Sequence, residues 1–177
     1  MTRYVAFLRA VNVGGRTVRM EELRRAFEAI PLANVATFIA SGNVLFDSKK
    51  TGTPLERTIE HALRAAFGFD VATMVRSGAD LRSVVEQVEV RGMTHGGGVT
   101  LYVGFLKDEP VRSAAAAAAA LSNEVDLISV HGRELYWQCH KSFSDSTVSG
   151  ARLERLLATA ATLRNFNTVQ KLAARAC

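Results

Sequence analysis

The sequence predicts an α+β protein made of two ferredoxin-like (βαββαβ) halves packed together. Three observations support this fold class. The first strand is apolar on both faces, the elements after it follow the ferredoxin-like order β-α-β-β-α-β, and that order recurs roughly ninety residues later. In the recurrence, the string Tyr102-Val-Gly-Phe-Leu106 echoes Tyr4-Val-Ala-Phe-Leu8.

The first segment of the chain predicts a central strand that ends in a glycine pair. Alternate side chains of a strand point to opposite faces, and both sets are apolar in residues 4–8, so both faces should be buried. Arg9 and Asn12 then place hydrogen-bonding groups at the end of the strand. They lie beside Gly14 and Gly15, where the backbone can turn without steric cost.

The remaining elements of the first half complete the ferredoxin-like order. Residues 19–30 have apolar side chains at helical spacing, which predicts a helix. The turn Ser41-Gly42-Asn43 then separates two β-rich segments, which predicts a hairpin. A second helix begins at Pro54 and ends at Gly68, and residues 69–75 are expected to form the fourth strand.

The second half repeats this order after a connecting helix and a glycine-rich loop. The expected domain boundaries are 1–76 for the first half, 77–97 for the connecting helix and loop, and 98–177 for the second half. The predicted elements of the second half are a strand over 99–106, an alanine-rich helix from Pro110, a hairpin of 125–130 and 134–139, a helix over 150–157, a short strand over 159–163 and a last helix capped by Asn165.

Composition is typical of a globular protein and predicts no membrane span. Hydrophobic residues make up 48% and charged residues 22% of the 177 residues, and no apolar run reaches the length of about 18 that a span requires. Met1 leads straight into a strand, without the pattern of a signal peptide. Two cysteines, Cys139 and Cys177, do not form a disulfide framework. We therefore expect a cytoplasmic protein.

The net charge of +5 leaves a nucleic-acid partner open without predicting it. The basic residues are mostly arginines spread along the chain, and the densest cluster spans only residues 16–25. A general compositional bias explains such a distribution better than a dedicated nucleic-acid surface does. Nor does the third predicted strand carry the basic-glycine-aromatic pattern of RNA-recognition modules, since Phe46 is its only aromatic residue.

Motifs for catalysis, cofactors and metals are absent from the sequence. It contains no G-x-x-x-x-G-K-[ST] phosphate loop, no G-x-G-x-x-G and no G-x-S-x-G. His131, Cys139 and His140 lack the partners at ligand spacing that a metal site needs. We therefore predict no cofactor and no metal, and no catalytic group is identifiable, so whether the protein is an enzyme is left open.

The segment Arg164-Asn-Phe-Asn-Thr168 predicts an anion site, because it places hydrogen-bonding side chains at the start of a helix. Backbone N–H groups and the helix dipole favour anions there, Arg164 would add a bidentate donor, and Lys171 follows one turn later. An equally good interpretation is a capped helix whose apolar residues pack inward.

Four segments carry a resemblance to a known family: Phe7-Leu-Arg-Ala-Val-Asn-Val-Gly-Gly15, Met20-Glu-Glu-Leu-Arg24, Ser41-Gly-Asn-Val-Leu-Phe46 and Arg164-Asn-Phe-Asn-Thr-Val-Gln-Lys-Leu172. In order and spacing they resemble the bacterial domain-of-unknown-function family numbered 1697. The resemblance implies a fold built from ferredoxin-like pieces and no established activity. The positions that match the family pattern are Arg9, Asn12, Gly14, Gly15, Ser41, Gly42, Asn43, Arg164, Asn165, Asn167, Thr168 and Lys171.

The chain departs from the family pattern at three positions. Ala10 and Phe166 stand where the family usually has glycine and tryptophan. Thr147 follows Ser146 where the family tends to have lysine. If that lysine serves a ligand, its loss weakens any site in this member.

These residues are expected to form one site and a possible second group. The first and third strands of a ferredoxin-like sheet are expected to run parallel and adjacent, so the loop of residues 12–15 and the turn of residues 41–43 should fall at opposite ends of the first half. Arg9, Asn12, Gly14 and Gly15 meet Arg164, Asn165, Asn167, Thr168 and Lys171 in a cleft between the halves, and Ser41, Gly42 and Asn43 form a possible second group.

Three functional hypotheses follow. In the first, the cleft binds a small anionic ligand, for example a phosphorylated one. In the second, the protein is a nucleic-acid or protein interaction module that uses a basic surface. In the third, the arginine and glycine motifs serve the fold alone. The doubly apolar strands also leave open a homo-oligomer as the means of covering the sheets.

Overall fold

The computed structural model describes residues 1–39 and 42–177, which form two compact units. Unit 1 comprises Met1–Arg82 and Leu172–Cys177, and unit 2 comprises Ser83–Lys171. The strands are β1 (Thr2–Leu8), β2 (Ala33–Thr37), β3 (Asn43–Ser48), β4 (Thr73–Ser77), β5 (Thr100–Leu106), β6 (Asp126–His131), β7 (Glu134–Cys139) and β8 (Ala161–Asn165). The helices are α1 (Met20–Glu28), α2 (Gly52–Phe67), α3 (Gly78–Val90), α4 (Arg112–Ala119), α5 (Gly150–Leu157) and α6 (Phe166–Arg175), with a 3-10 turn at Phe143–Asp145.

Each unit contains a four-stranded antiparallel sheet with the ferredoxin-like strand order. The order is β2-β3-β1-β4 in unit 1 and β6-β7-β5-β8 in unit 2. The first strand of each repeat is therefore interior, as its two apolar faces predict. The α+β fold class and the repeated β-α-β-β-α-β order are confirmed. No helix in the described part of the chain is long and apolar enough to cross a membrane.

The expectation that the first and third strands are parallel is wrong. β1 pairs with β3 in antiparallel register, with Phe7 opposite Asn43. The physical reason is the connectivity: the crossover through α1 makes β1 and β2 parallel, and the tight hairpin then reverses the direction of β3. The end of β1 and the beginning of β3 consequently lie at the same end of the sheet, where the Leu8 N–H donates to the Gly42 carbonyl at 2.9 Å.

The hydrophobic core of unit 1 lies between one face of its sheet and the helices α1 and α2. Tyr4 and Phe46 stack on neighbouring strands with ring centroids 5.9 Å apart, and Phe27 of α1 packs on the same ring. Leu55, Ile59 and Leu63 of α2 are fully buried in this core. Because the aromatic side chains of β1 and β3 are buried, they offer no stacking platform of the RNA-recognition type.

Unit 2 repeats the strand register of unit 1. Tyr102 pairs with Trp137 on one side of β5 and with Asn165 on the other, as Tyr4 pairs with Phe46 and Ser77 around β1. The backbone therefore places the five-residue echo of the sequence at equivalent positions of the two sheets. In the unit 2 core, Trp137 donates its indole N–H to the buried carboxylate of Asp126 at 2.7 Å.

Candidate functional site

The candidate site is a pocket of unit 2 at the junction of β8 and α6. Its volume is about 230 Å³. Two segments far apart in the sequence form its walls, namely the loop before β5 together with the beginning of that strand, and the first residues of α6. The lining residues are His95, Gly96, Val99, Thr100, Leu101, Asn165, Phe166 and Asn167.

The α6 wall arises because β8 passes directly into the helix. Asn165 is the last residue of the strand, and its side-chain oxygen accepts the backbone N–H of Asn167 at 2.9 Å. This is the capping role that the sequence predicts for Asn165. Phe166 is buried and fixes the helix to the unit, whereas the side chains of Asn165 and Asn167 are exposed at the pocket.

The opposite wall is a glycine-rich loop that presents His95. Gly96 and Val99 exchange backbone hydrogen bonds at 2.8 and 3.1 Å, and Gly97 and Gly98 between them have φ of 60° and 90°. Such a turn requires residues that tolerate positive φ at both central positions. The loop is further anchored by the Thr94 N–H, which donates to the Gln138 side chain at 2.7 Å. The His95 ring packs edge-on against Phe166, with centroids 4.9 Å apart.

The repeat provides an internal comparison for the start of α6. The equivalent helix start in unit 1 is that of α3, because Ser77 and Asn165 occupy the same register beside Tyr4 and Tyr102. There the Asp80 carboxylate accepts the Ser77 N–H at 2.8 Å and the Ser77 hydroxyl at 2.7 Å. Three residues after Asn165, unit 2 has the neutral Thr168 instead. The start of α3 thus contains its own anion, and the first turn of α6 contains no acidic residue.

Arg164 does not line this pocket, although it precedes Asn165. Consecutive strand residues point to opposite faces of the sheet, so the two side chains diverge. The guanidinium of Arg164 is buried and donates to the Thr162 hydroxyl at 2.6 Å and to the Leu163 carbonyl at 2.9 Å. Burial lowers the pKa of Arg164 to about 10. These contacts indicate that Arg164 stabilises β8.

The remaining predicted residues of this stretch lie further along α6. Thr168 is half-buried and Lys171 is exposed. Asn167 and Lys171 are four residues apart and therefore share one face of the helix. The pocket thus brings together Asn165 and Asn167, with Lys171 one turn away on the same face.

The predicted residues of the first half form a loop after β1 in unit 1. Arg9 is exposed, and its backbone N–H donates to the Ala72 carbonyl at 2.9 Å. Asn12 closes the loop, because its side-chain oxygen accepts the Val18 N–H at 2.6 Å. Gly14 and Gly15, with φ of 64° and 80°, form an exposed turn, and a side chain at either would meet no atom within 4 Å. Backbone conformation alone therefore requires these glycines. They belong to a different unit from Asn165, and their meeting in one cleft stays a prediction.

In the second predicted group, at the β2–β3 turn, the two described residues, Gly42 and Asn43, make contacts that stabilise the fold. Gly42 has φ of 76°, and a Cβ there would lie 3.1 Å from the Cβ of Leu8, so only glycine fits without displacement. Asn43 is fully buried and donates its side-chain amide to the Phe38 carbonyl at 3.0 Å. Ser41 lies outside the described residues.

The structure offers no support for a metal centre within the described residues, where no group of three candidate ligands converges. In the register of the β6–β7 hairpin, Cys139 pairs with Asp126 at one end and His131 pairs with Glu134 at the other, so His131 and Cys139 are far apart along the strands. Burial, with a smaller contribution from the charge of Arg91, lowers the pKa of His131.

Sequence reasoning missed His95 and Thr100 as pocket residues. His95 belongs to the glycine-rich segment and Thr100 follows it, and this segment has no apolar periodicity. Their proximity to α6 is a tertiary contact, which local sequence does not indicate. The three consecutive glycines beside a histidine were the available signal, because such runs mark a backbone conformation that other residues rarely adopt.

Comparison with known proteins identifies the family and the fold. A family model described as a protein of unknown function (DUF1697) matches residues 1–136. The conserved bacterial protein SP0830 from Streptococcus pneumoniae has a similar fold, with a TM-score of 0.78 and 22% sequence identity over 99% of both chains. No functionally curated protein matches the sequence. Because the family model covers most of the chain, this protein belongs to the DUF1697 family of proteins of unknown function.

Proposed function

We propose that the protein binds a small anionic ligand in the pocket at the start of α6. The observation that carries this proposal is the composition of the pocket wall. His95, Thr100, Asn165 and Asn167 supply polar side chains, and none of the described lining residues carries a carboxylate. The pocket therefore provides hydrogen-bond donors without a group that would repel an anion.

The position of the pocket at a helix N-terminus adds to this preference. The Asn165 side chain caps the N–H of Asn167, and the helix dipole places partial positive charge at this end of α6. Lys171 supplies a full positive charge one turn along the same face. The carboxylate of Asp80 at the equivalent start of α3 supports the same chemistry, since it accepts the N–H of Ser77, the residue before that helix.

The size of the pocket indicates the size of the ligand. A volume of about 230 Å³ lies below the roughly 300–1,000 Å³ of sites for drug-sized molecules. The ligand class is therefore inorganic phosphate, a small phosphorylated compound or a small carboxylic acid, rather than an enclosed nucleotide.

Thermal unfolding in the presence of inorganic phosphate and small phosphorylated and carboxylic acids tests the proposal. A ligand at a hundredfold excess over its Kd stabilises the native state by about 2.7 kcal/mol, which raises the Tm of a chain of this size by about 5–10 °C. We expect one class of anion to produce such a shift in the wild type. We expect His95→Ala and Asn167→Ala to lose most of it.

The matched control is His140→Ala, which removes an exposed histidine of unit 2 that does not line the pocket. It should shift with the ligand as the wild type does. Equal loss in His140→Ala and His95→Ala would contradict the proposed location. No shift with any small anion would contradict the proposed function.

A further inference from the structure

The net positive charge of the protein resides in unit 1. That unit contains 13 lysine and arginine residues and 8 aspartate and glutamate residues, whereas unit 2 contains 9 of each. The formal net charge of +5 therefore belongs to one unit, and the other is neutral. The asymmetry comes from the basic residues, because the acidic residues are almost equally divided between the two units.

Helix α2 concentrates this charge on its solvent face, because its two acidic side chains turn inward. Glu56 is 1% exposed, and its carboxylate accepts the Val75 N–H at 2.9 Å. Glu60, four residues later, accepts the Thr73 N–H at 2.9 Å. Both carboxylates thus bind the outer edge of β4. Because both side chains bind β4, they add no negative charge to the outer face of the helix.

The outer face of α2 is consequently basic. Arg57, His61 and Arg64 are exposed and lie at positions i, i+4 and i+7, which share one face of a helix. The exposed Lys49 and Lys50 precede the helix, and Lys50 Nζ lies 3.4 Å from the Thr58 hydroxyl. We name these five residues the α2 basic face. Asp70 forms an ion pair with this face, bridging to Arg64 at 2.7 Å.

The start of α2 reinforces the positive potential of this face. Its N-cap, Thr51, makes no side-chain capping bond, and its first turn contains no acidic residue. The positive end of the helix dipole therefore adds to the charges of Lys49 and Lys50 rather than being neutralised by a carboxylate. This end of the helix contrasts with that of α1, where Glu22 accepts the Arg19 N–H at 3.0 Å.

We propose that the α2 basic face docks on the sugar–phosphate backbone of a nucleic acid. This interaction is separate from the small-anion pocket, which lies in unit 2. Duplex DNA carries one negative charge per roughly 1.7 Å of its axis, and the seven steps from Arg57 to Arg64 rise about 10 Å along the helix. A duplex lying along α2 therefore offers several phosphates within the span of these side chains.

The apolar residues of α2 argue against a membrane surface as the partner. An amphipathic helix that binds a lipid surface inserts exposed apolar side chains between the headgroups. Here Leu55, Ile59 and Leu63 are fully buried in the core of unit 1. The exposed side of the helix offers charge without an apolar stripe, which fits a backbone contact that reads no sequence.

Binding of a short mixed-sequence DNA duplex to the whole chain tests this proposal by fluorescence anisotropy at salt concentrations from about 50 to about 200 mM. The test variant combines Lys49→Gln, Lys50→Gln and Arg57→Gln. The matched control combines Arg112→Gln, Arg152→Gln and Arg155→Gln, which removes the same charge from exposed positions of unit 2. We expect the test variant to bind at least about tenfold more weakly. Its salt slope should fall by about 3, because each substituted cation leaves one phosphate without its partner. The control should bind nearly as the wild type does.

Equal weakening in the two triple variants would overturn the proposal, because net charge rather than the α2 basic face would then determine affinity. Undetectable wild-type binding at the lowest salt would also overturn it. So would binding to anionic phospholipid vesicles that is tighter than binding to the duplex and equally sensitive to the test variant. Far-ultraviolet circular dichroism of each variant establishes that it is folded.

Discussion

At the scale of single residues, two alanines have backbone conformations that favour glycine. Ala10 and Ala158 have φ of 54° and 52°, in the left-handed region where an L side chain is strained. Ala10 stands where the family pattern usually has glycine, and its conformation explains that usage. At Gly78, by contrast, space requires glycine, since an added Cβ would lie 2.0 Å from the Ala176 carbonyl oxygen.

Replacing Ala158 with glycine should stabilise the protein. Ala158 is the left-handed C-cap of α5 and donates its N–H to Glu154, a position that glycine occupies without strain. We expect Ala158→Gly to raise the free energy of unfolding by about 1 kcal/mol. The control is Ala65→Gly in the exposed interior of α2, which should lower it by about 1 kcal/mol. Urea unfolding measures both. If both substitutions changed the free energy of unfolding in the same direction, left-handed strain at Ala158 would not explain the effect of Ala158→Gly.

At the scale of elements, side chains rather than further strands satisfy the edges of the sheets. Glu56 and Glu60 cap β4, and Glu154 performs the same task for β8 by accepting the Ala161 N–H at 2.8 Å. The edge strand β6 is covered by Ser122, whose hydroxyl accepts the Ile128 N–H at 2.9 Å. Each of these bonds satisfies an edge N–H group that would otherwise be open to pairing with a strand of another chain. In α2, the inward orientation of Glu56 and Glu60 leaves a basic outer surface, which the amino-acid composition of the helix alone does not predict.

Asp47 connects three strands of unit 1 and makes their stability dependent on pH. Its carboxylate accepts hydrogen bonds from Asn34 of β2 at 2.6 Å and from Arg3 of β1 at 3.3 Å. The Asn34 bond, followed by the bond and charge of Arg3, lowers the pKa of Asp47 below its usual value. The stabilisation is therefore fully present above the unfolded pKa of about 3.9 and is lost as the pH falls through the folded pKa.

The variant Asp47→Asn tests this dependence. We expect it to be less stable than the wild type at neutral pH and to lose less stability than the wild type as the pH falls below about 4. Denaturant unfolding at several pH values measures the difference. Glu89→Gln, an exposed change on α3, should keep the wild-type pH profile. A parallel profile for Asp47→Asn and the wild type would mean that Asp47 titrates alike in the folded and unfolded chain.

At the scale of the whole molecule, the fold followed from local patterns more closely than the site did. The continuous apolar run of residues 4–8 and the repeated element order sufficed to predict two ferredoxin-like sheets. The cap at Asn165 was also predictable, because residue type and helix start coincide there. His95 was not, because its contact with Phe166 depends on tertiary packing. Arg164 was grouped with Asn165 by sequence proximity, but strand alternation separates their side chains.

The distribution of charge likewise emerges only from the structure. Glu56 and Arg57 are neighbours in sequence, yet one is buried against β4 and the other is exposed. The error in the direction of β3 had a similar origin, since strand direction follows from connectivity and not from residue pattern. What local sequence cannot show is which side chains the topology removes from solvent. Both proposed binding surfaces depend on that information.

The most direct measurement of the central claim compares phosphate binding by Thr168→Asp and Thr168→Asn. The aspartate reproduces at α6 the carboxylate that Asp80 places at the start of α3, while asparagine has nearly the same shape without the charge. Isothermal titration with inorganic phosphate, or with the small anion that gives the largest thermal shift, measures both variants. We predict binding by the wild type and Thr168→Asn and no binding by Thr168→Asp, whose unliganded Tm stays equal or rises because a carboxylate stabilises a helix N-terminus. Unchanged binding by Thr168→Asp would contradict an anion site at the start of α6.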